Sequence, residues 1–353
     1  MAAPADIKRV AGAAGRLELD GAPEGFDALV MGDICRARGG LNVFVARDGS
    51  RGQAFQDALT FFAPETLVLE FPAWDCLPYD RVGPSAGAAA ERMAVLTRLA
   101  RGLDDSKPTL LVTTAAALMQ RIPPRTTVTG AGYSAAVGAS VDLADLERYF
   151  AINGYQRAST VSERGEFAVR GGVIDVFPPG ADEPVRLDLF GDILESIRAF
   201  DRETQRSTRQ LRTVDLLPVS EALLDTAAIA RFRTGYLAAF GAPGDDPLYE
   251  TVSAGGRRAG MEHWLPLFYD GLETLFDYLP SDALIALDNL AVESRDERLA
   301  MIADAYEARV EAERKVHYRA LPPSSLYLDS LEWNQRLAGH PSRQFSPFQR
   351  EPG

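Results

Sequence analysis

Lysine is almost missing from these 353 residues: only Lys8, Lys107 and Lys315 occur, and every other basic residue is an arginine. None of the three follows a glycine, so there is no G-x-x-x-x-G-K-[ST] loop to cradle a triphosphate. Cysteine is scarce too. Cys35 and Cys76 are too few for a disulfide framework, and neither has a ligand neighbour at metal spacing, so a reducing cytoplasm is the expected compartment. His263, His317 and His340 lie far apart in sequence, which argues against a zinc site. No apolar run reaches the length of a membrane span, and Met1-Ala-Ala-Pro-Ala-Asp6 lacks the hydrophobic region of a signal peptide. There is no G-x-S-x-G elbow; Ser85 in Gly83-Pro-Ser-Ala-Gly87 reads as a helix cap. Glu163, Glu166 and Asp175 read as strand charges rather than a catalytic acid pair. Positive charge is in deficit, with a net charge of -13, which excludes a broad phosphate-binding surface and leaves room only for a local arginine patch. No catalytic template, cofactor or metal is expected.

What is present has a globular balance, 46% hydrophobic and 25% charged, over a length that calls for two or three domains. Residues 1–24 are small and polar and are expected to be partly unanchored. Apolar residues Phe26, Leu29, Val30 and Ile34 then recur at helical spacing up to Gly39-Gly40. Leu41–Ala46, Leu67–Phe71 and Thr109–Val112 are apolar strands, separated by helices carrying Phe55, Leu59 and Phe62, then Met93, Leu96 and Leu99. Strands apolar on both faces that alternate with helices predict a parallel sheet covered by helices. After Pro123-Pro124 the texture changes to short β runs behind a helix near 143–150. The α/β texture returns after Leu217-Pro218, with a strand at Leu284–Leu287. A long helix follows, with Leu299, Ile302, Tyr306 and Val310 on its inner side, and Ser325–Leu328 reads as a last strand. The expected organisation is an α/β outer domain in two parts, 1–119 and 211–353, interrupted by a small antiparallel β-rich insert at 120–210.

The insert centres on Glu163-Arg-Gly-Glu-Phe-Ala-Val-Arg170-Gly-Gly-Val-Ile-Asp-Val-Phe177-Pro-Pro-Gly180, followed by Val185-Arg-Leu-Asp-Leu-Phe-Gly-Asp192. Alternating apolar residues broken at Gly171-Gly172, Pro178-Pro179-Gly180 and Gly191-Asp192 predict a meander. Arg170, Arg186, Arg198 and several carboxylates give it one wet, charged face.

This stretch resembles the small inserted domain shared by the excision-repair protein UvrB and the bacterial transcription-repair coupling factors. Phe71-Pro-Ala-Trp-Asp-Cys-Leu-Pro-Tyr-Asp80 resembles a coupling-factor element, although Trp74 and Tyr79 read as packing residues. Ala259-Gly-Met-Glu-His-Trp264 and Leu275-Phe-Asp-Tyr-Leu-Pro280 resemble elements of both relatives, and Leu321–Leu328 resembles the segment closing the coupling-factor module. The departures separate the two relatives. UvrB carries a P-loop, an acid pair where this chain has Asp288-Asn289, and a long DNA-clamping hairpin where residues 72–84 are short. The coupling-factor N-terminal module is therefore the reading, with a UvrB-type damage-loading subunit as the alternative.

The resemblance implies a degenerate helicase-type sheet acting as a non-catalytic scaffold, and an insert that docks UvrA through Arg157, Arg170 and Phe177. It also implies that the ATP-driven motor, and the contacts to RNA polymerase and DNA, lie outside these residues.

Overall fold

Leu41–Ala46 is buried at all six positions and nucleates the first sheet. In the computed structural model, which describes residues 4–104, 106–316 and 318–349, it pairs with Thr109–Thr114 on one side and Leu284–Leu287 on the other. Leu67–Phe71 forms one edge of the sheet; Ser342–Phe345 and then Arg16–Leu19 form the other. Every pairing is parallel. Alternate residues fill opposite faces: Val43, Val45, Leu111 and Ile285 join one apolar cluster, Phe44, Leu110, Val112 and Ala286 the other. Helices Phe26–Arg38 and Gly49–Phe62 help cover the second face, where Phe44 stacks on Phe55 with the rings 9° apart. Helix Ala86–Arg101 covers the first with Met93, Leu96 and Leu99, and Ser85 caps it by accepting from the Ala88 amide at 3.2 Å. The predicted parallel sheet is the one observed. No described helix is long and apolar enough to cross a membrane.

Three local expectations are corrected. The amino-terminal stretch is tied down: Pro4–Gly12 is a helix, Arg16–Leu19 is a strand, and Arg343 donates to the carbonyls of Val10, Ala13 and Gly15. An Arg-Leu-Glu-Leu edge strand has too few apolar residues to register, and it is recruited by a segment more than 300 residues away. Leu326, Tyr327 and Leu328 are buried but follow a 3-10 turn at Pro323–Ser325, and only a single bridge joins Tyr327 to Gln120. Core burial, rather than a ladder, accounts for their apolarity. Along helix Ala291–Val316 the buried stripe ends at Tyr306, one turn before the exposed Val310.

The second sheet has strands in the order Ser207–Leu211, Ile193–Phe200, Val185–Phe190, Val173–Val176, Glu166–Arg170 and Gln156–Arg157, antiparallel except for the last pair. Helix Leu143–Asn153 packs Leu146 and Phe150 on Phe167, Ile174, Val176, Leu187 and Ile197. Strands Tyr133–Ala136 and Thr213–Leu216 pair beside it, whereas Arg121–Ile122 pairs with Glu273–Thr274 of the outer domain. The segment leaving the insert passes the end of helix Leu143–Asn153 at Gly154: its φ is 88°, and a Cβ there would lie 2.6 Å from that of Ser220. The Asn153 carbonyl accepts from both the Val219 and Ser220 amides.

Candidate protein-docking site

Of the two arginines named from the sequence, Arg157 is in the edge strand Gln156–Arg157 of the second sheet and Arg170 ends the adjoining strand Glu166–Arg170, beyond the two residues that the edge strand covers. Arg157 is 63% exposed; it leans toward the helix-covered face, 6.0 Å over the Phe167 ring and 3.6 Å from Glu147. Arg170 is 55% exposed and turns to the other face, where it donates to the Ser159 carbonyl at 3.1 Å and lies 3.6 Å from Asp175. Arg157 is in register with Phe167, three residues before Arg170, so the two are spaced on the order of 10 Å along the edge. An odd spacing puts them on opposite faces. A partner reaching both must straddle the edge.

Asp175 organises the open face. It is 2% exposed and accepts from Arg186 at 2.6 and 2.9 Å while also facing Arg170. The hydrogen bonds to Asp175, helped by its charge, raise the Arg186 pKa above its ordinary value against the opposing effect of burial. Arg198, next in register, pairs with Asp188 at 2.6 Å and is a wedged partner of a neighbouring strand rather than a freely solvated charge.

Phe177 is placed differently from the expectation. Its side chain is 2% exposed, packed with Val161, Ala168 and Phe200 in a small apolar cluster, with Arg164 5.5 Å above the ring. A buried ring cannot be a contact surface, so Phe177 is corrected to a supporting residue. The strand ends where Pro178 begins, and closing that end over apolar residues is what buries the ring. The exposed aromatic is Phe190, 75% accessible at the next hairpin, with Ile193 and Val137 also exposed beside it. It lies at the same end of the sheet as the Gly171-Gly172 bend, where the Gly172 carbonyl accepts from the Leu189 amide at 2.7 Å. The signal was present in the alternation: Val185, Leu187 and Leu189 point inward, which leaves Phe190 facing out.

In the outer domain, the loop after Leu41–Ala46 carries its own charge cluster. Asp288 is 1% exposed and accepts from Arg51 Nε at 3.1 Å and from the backbone and side chain of Arg47 at 3.3 Å. Arg51, also buried, donates on its far side to Asp27. Burial pushes the carboxyls of both Asp27 and Asp288 up from their ordinary values, and Arg51 opposes that shift. Helix Gly49–Phe62 starts here with Asp48 accepting from the Arg51 amide, so a carboxylate already caps its N-terminus.

Buried polar groups tie the outer domain to the segment that leaves the insert and to the end of the insert's helix. Arg92 donates to Glu221 at 2.6 and 3.3 Å, Trp74 donates to the same carboxylate at 2.9 Å, and the guanidinium lies 4.2 Å over Phe71. Trp74 and Tyr79 are both buried, in the packing role the sequence suggested. Arg257 donates at 2.8 Å to the carbonyls of Ile152 and Ala222, bridging the end of the insert's helix to the outer domain.

A family profile described as the UvrB interaction domain matches residues 134–221. The chain is 32% identical over 325 residues to a transcription-repair-coupling factor of Haemophilus influenzae, covering 91% of this chain and 28% of that relative. The counterpart from Escherichia coli is 31% identical over 324 residues, with 90% and 27% covered. That from Myxococcus xanthus is 35% identical over 331 residues, with 86% and 26% covered. The chain thus spans about a quarter of the length of the curated relatives it matches.

Proposed function

This chain matches the UvrB-like, N-terminal module of the transcription-repair-coupling factors, and from that premise we propose that it is a non-catalytic scaffold whose inserted sheet recruits UvrA. The role in transcription-repair coupling, the partner and the face are all part of this reading, which the likeness to the coupling factors supports. One observation carries it. Arg157 and Arg170 are exposed on opposite faces of one open sheet edge, inside the segment that matches an interaction domain. Exposed arginines, with the exposed Phe190 at the Arg170 end of the same sheet, suit a protein interface, where Arg and aromatic residues carry much of the binding energy. The insert is the unit we assign to docking, and the outer sheet the frame that aims it. ATP-driven translocation, and the contacts with RNA polymerase and DNA, are assigned to other parts of the whole protein.

The test is capture of purified UvrA by this chain. A guanidinium that loses its carboxylate partner across a desolvated interface costs about 2–5 kcal/mol. Arg170→Glu should therefore weaken capture at least about tenfold. Arg202→Glu, an exposed position on a turn of the same domain, should leave it unchanged. Arg198 is unsuitable as the control because it is bonded to Asp188. Equal capture by wild type and Arg170→Glu would overturn the assignment.

A further inference from the structure

On the outer domain, away from the docking edge, Arg81, Arg257 and Arg258 wall a crevice of about 470 Å³ together with Asp246, Trp264 and Tyr318. Arg81 and Arg258 stand exposed at its mouth, and neither guanidinium has a carboxylate partner among the described residues. Arg257 is held inside by the carbonyls of Ile152 and Ala222, also with no ion pair among the described residues. Burial lowers its pKa, and Glu262 only partly offsets this from a distance. Asp246, the one carboxylate in the lining, is spent: it accepts from the Tyr236 hydroxyl and caps the helix Pro247–Ser253 through the Leu248 and Tyr249 amides. Nearby Asp80 faces Arg309 instead. In a chain of net charge -13, this concavity carries an excess of positive charge, and a cleft concentrates such a field.

We propose that this crevice binds a phosphate group. A carboxylate offers two oxygens to one guanidinium fork, whereas a phosphate offers three or more and takes forks from several arginines at once. Trp264 and Tyr318, 6% and 7% exposed, are the buried aromatic part of the crevice lining. The phosphate belongs either to a free phosphorylated molecule or to one unit of a nucleic-acid backbone; the acidic remainder of the surface disfavours a long tracked groove.

The whole chain is titrated with inorganic phosphate, with a nucleoside monophosphate and with a twelve-nucleotide single strand, by calorimetry and by the NMR signal of the Trp264 indole N–H. Saturable binding is expected. The double substitution Arg81→Glu with Arg258→Glu should weaken it at least about tenfold, for the loss of two charge-assisted contacts, with the thermal midpoint retained because both positions are exposed. Arg202→Glu with Arg206→Glu should leave binding unchanged. If the strand binds more tightly than phosphate and weakens steeply with salt, the source is nucleic acid. If the small phosphates bind and the strand gains nothing over them, the source is a free ligand. No saturable binding of any probe, or binding the double substitution leaves intact, would overturn the proposal.

Discussion

Asp175 and Arg170 stand 3.6 Å apart on neighbouring strands, the carboxylate 2% exposed and the guanidinium 55% exposed. A buried anion thus holds an accessible cation at the sheet edge, and Arg186 fixes the anion in turn through two short hydrogen bonds.

Asp175→Asn should therefore act on both stability and docking. Removing one partner of a buried pair leaves the Arg186 charge uncompensated, at a cost of about 3 kcal/mol. Chemical denaturation should show a lower midpoint, and UvrA capture by the still-folded protein should fall several-fold because Arg170 loses its aim. Unchanged capture would mean that Arg170 is positioned by the Ser159 carbonyl alone.

The cluster of Asp27, Arg51 and Asp288 is buried on all sides. Arg51→Ala leaves the buried Asp27 without its guanidinium and Asp288 with Arg47 alone, and should cost about 3 kcal/mol. Arg51→Lys should restore little, since a single ammonium cannot fork to both acids. Urea unfolding of the two variants side by side measures this.

No binding of magnesium-ATP beyond the phosphate binding proposed for the arginine crevice is expected: calorimetry on the Arg81→Glu, Arg258→Glu variant should show no heat. Asp288 is engaged by Arg51 and Arg47, and no Gly-Lys pair exists to meet a triphosphate. Micromolar affinity would contradict the scaffold assignment.

His263 is 2% exposed, and burial holds its pKa down at about 4, below the ordinary value of 6.5. The unfolded chain takes up the proton that the folded one refuses. The stabilisation is present in full above pH 6.5 and is lost as pH falls toward 4, by an amount on the order of 3 kcal/mol. His263→Gln should flatten the dependence of the denaturation midpoint across that window, while carboxylate titration continues below it.

Residues 133–217 should fold alone, because helix Leu143–Asn153 and the second sheet share one apolar core. Circular dichroism and amide proton dispersion test this. A fragment starting at residue 120 would carry a strand, Arg121–Ile122, whose partner lies at 273–274, and should gain nothing from it.

The parallel sheet and the meander were legible because their apolar residues recur at a clean period, as in Leu41–Ala46 and Val185–Leu189. Less visible were features set by distant partners. Arg16–Leu19 is a strand only because Ser342–Phe345 offers it an edge. Phe177 looked like an anchor because it ends a strand, yet Val161 and Phe200 come from separate segments to cover it. Arg157 and Arg170 were placed by resemblance, but their opposite faces follow from register, which the sequence does not declare. The arginine-walled crevice joins residues 81, 246, 257 and 318, and no local motif marks it.

The pairing of Arg16–Leu19 with Ser342–Phe345 also sets a timetable during synthesis. Strands of the second sheet all lie between residues 156 and 211, so they can assemble as soon as that stretch has left the ribosome. The first sheet must wait with its amino-terminal strand unmatched until residue 345 arrives. The nascent chain can thus complete the second sheet while the first is still open.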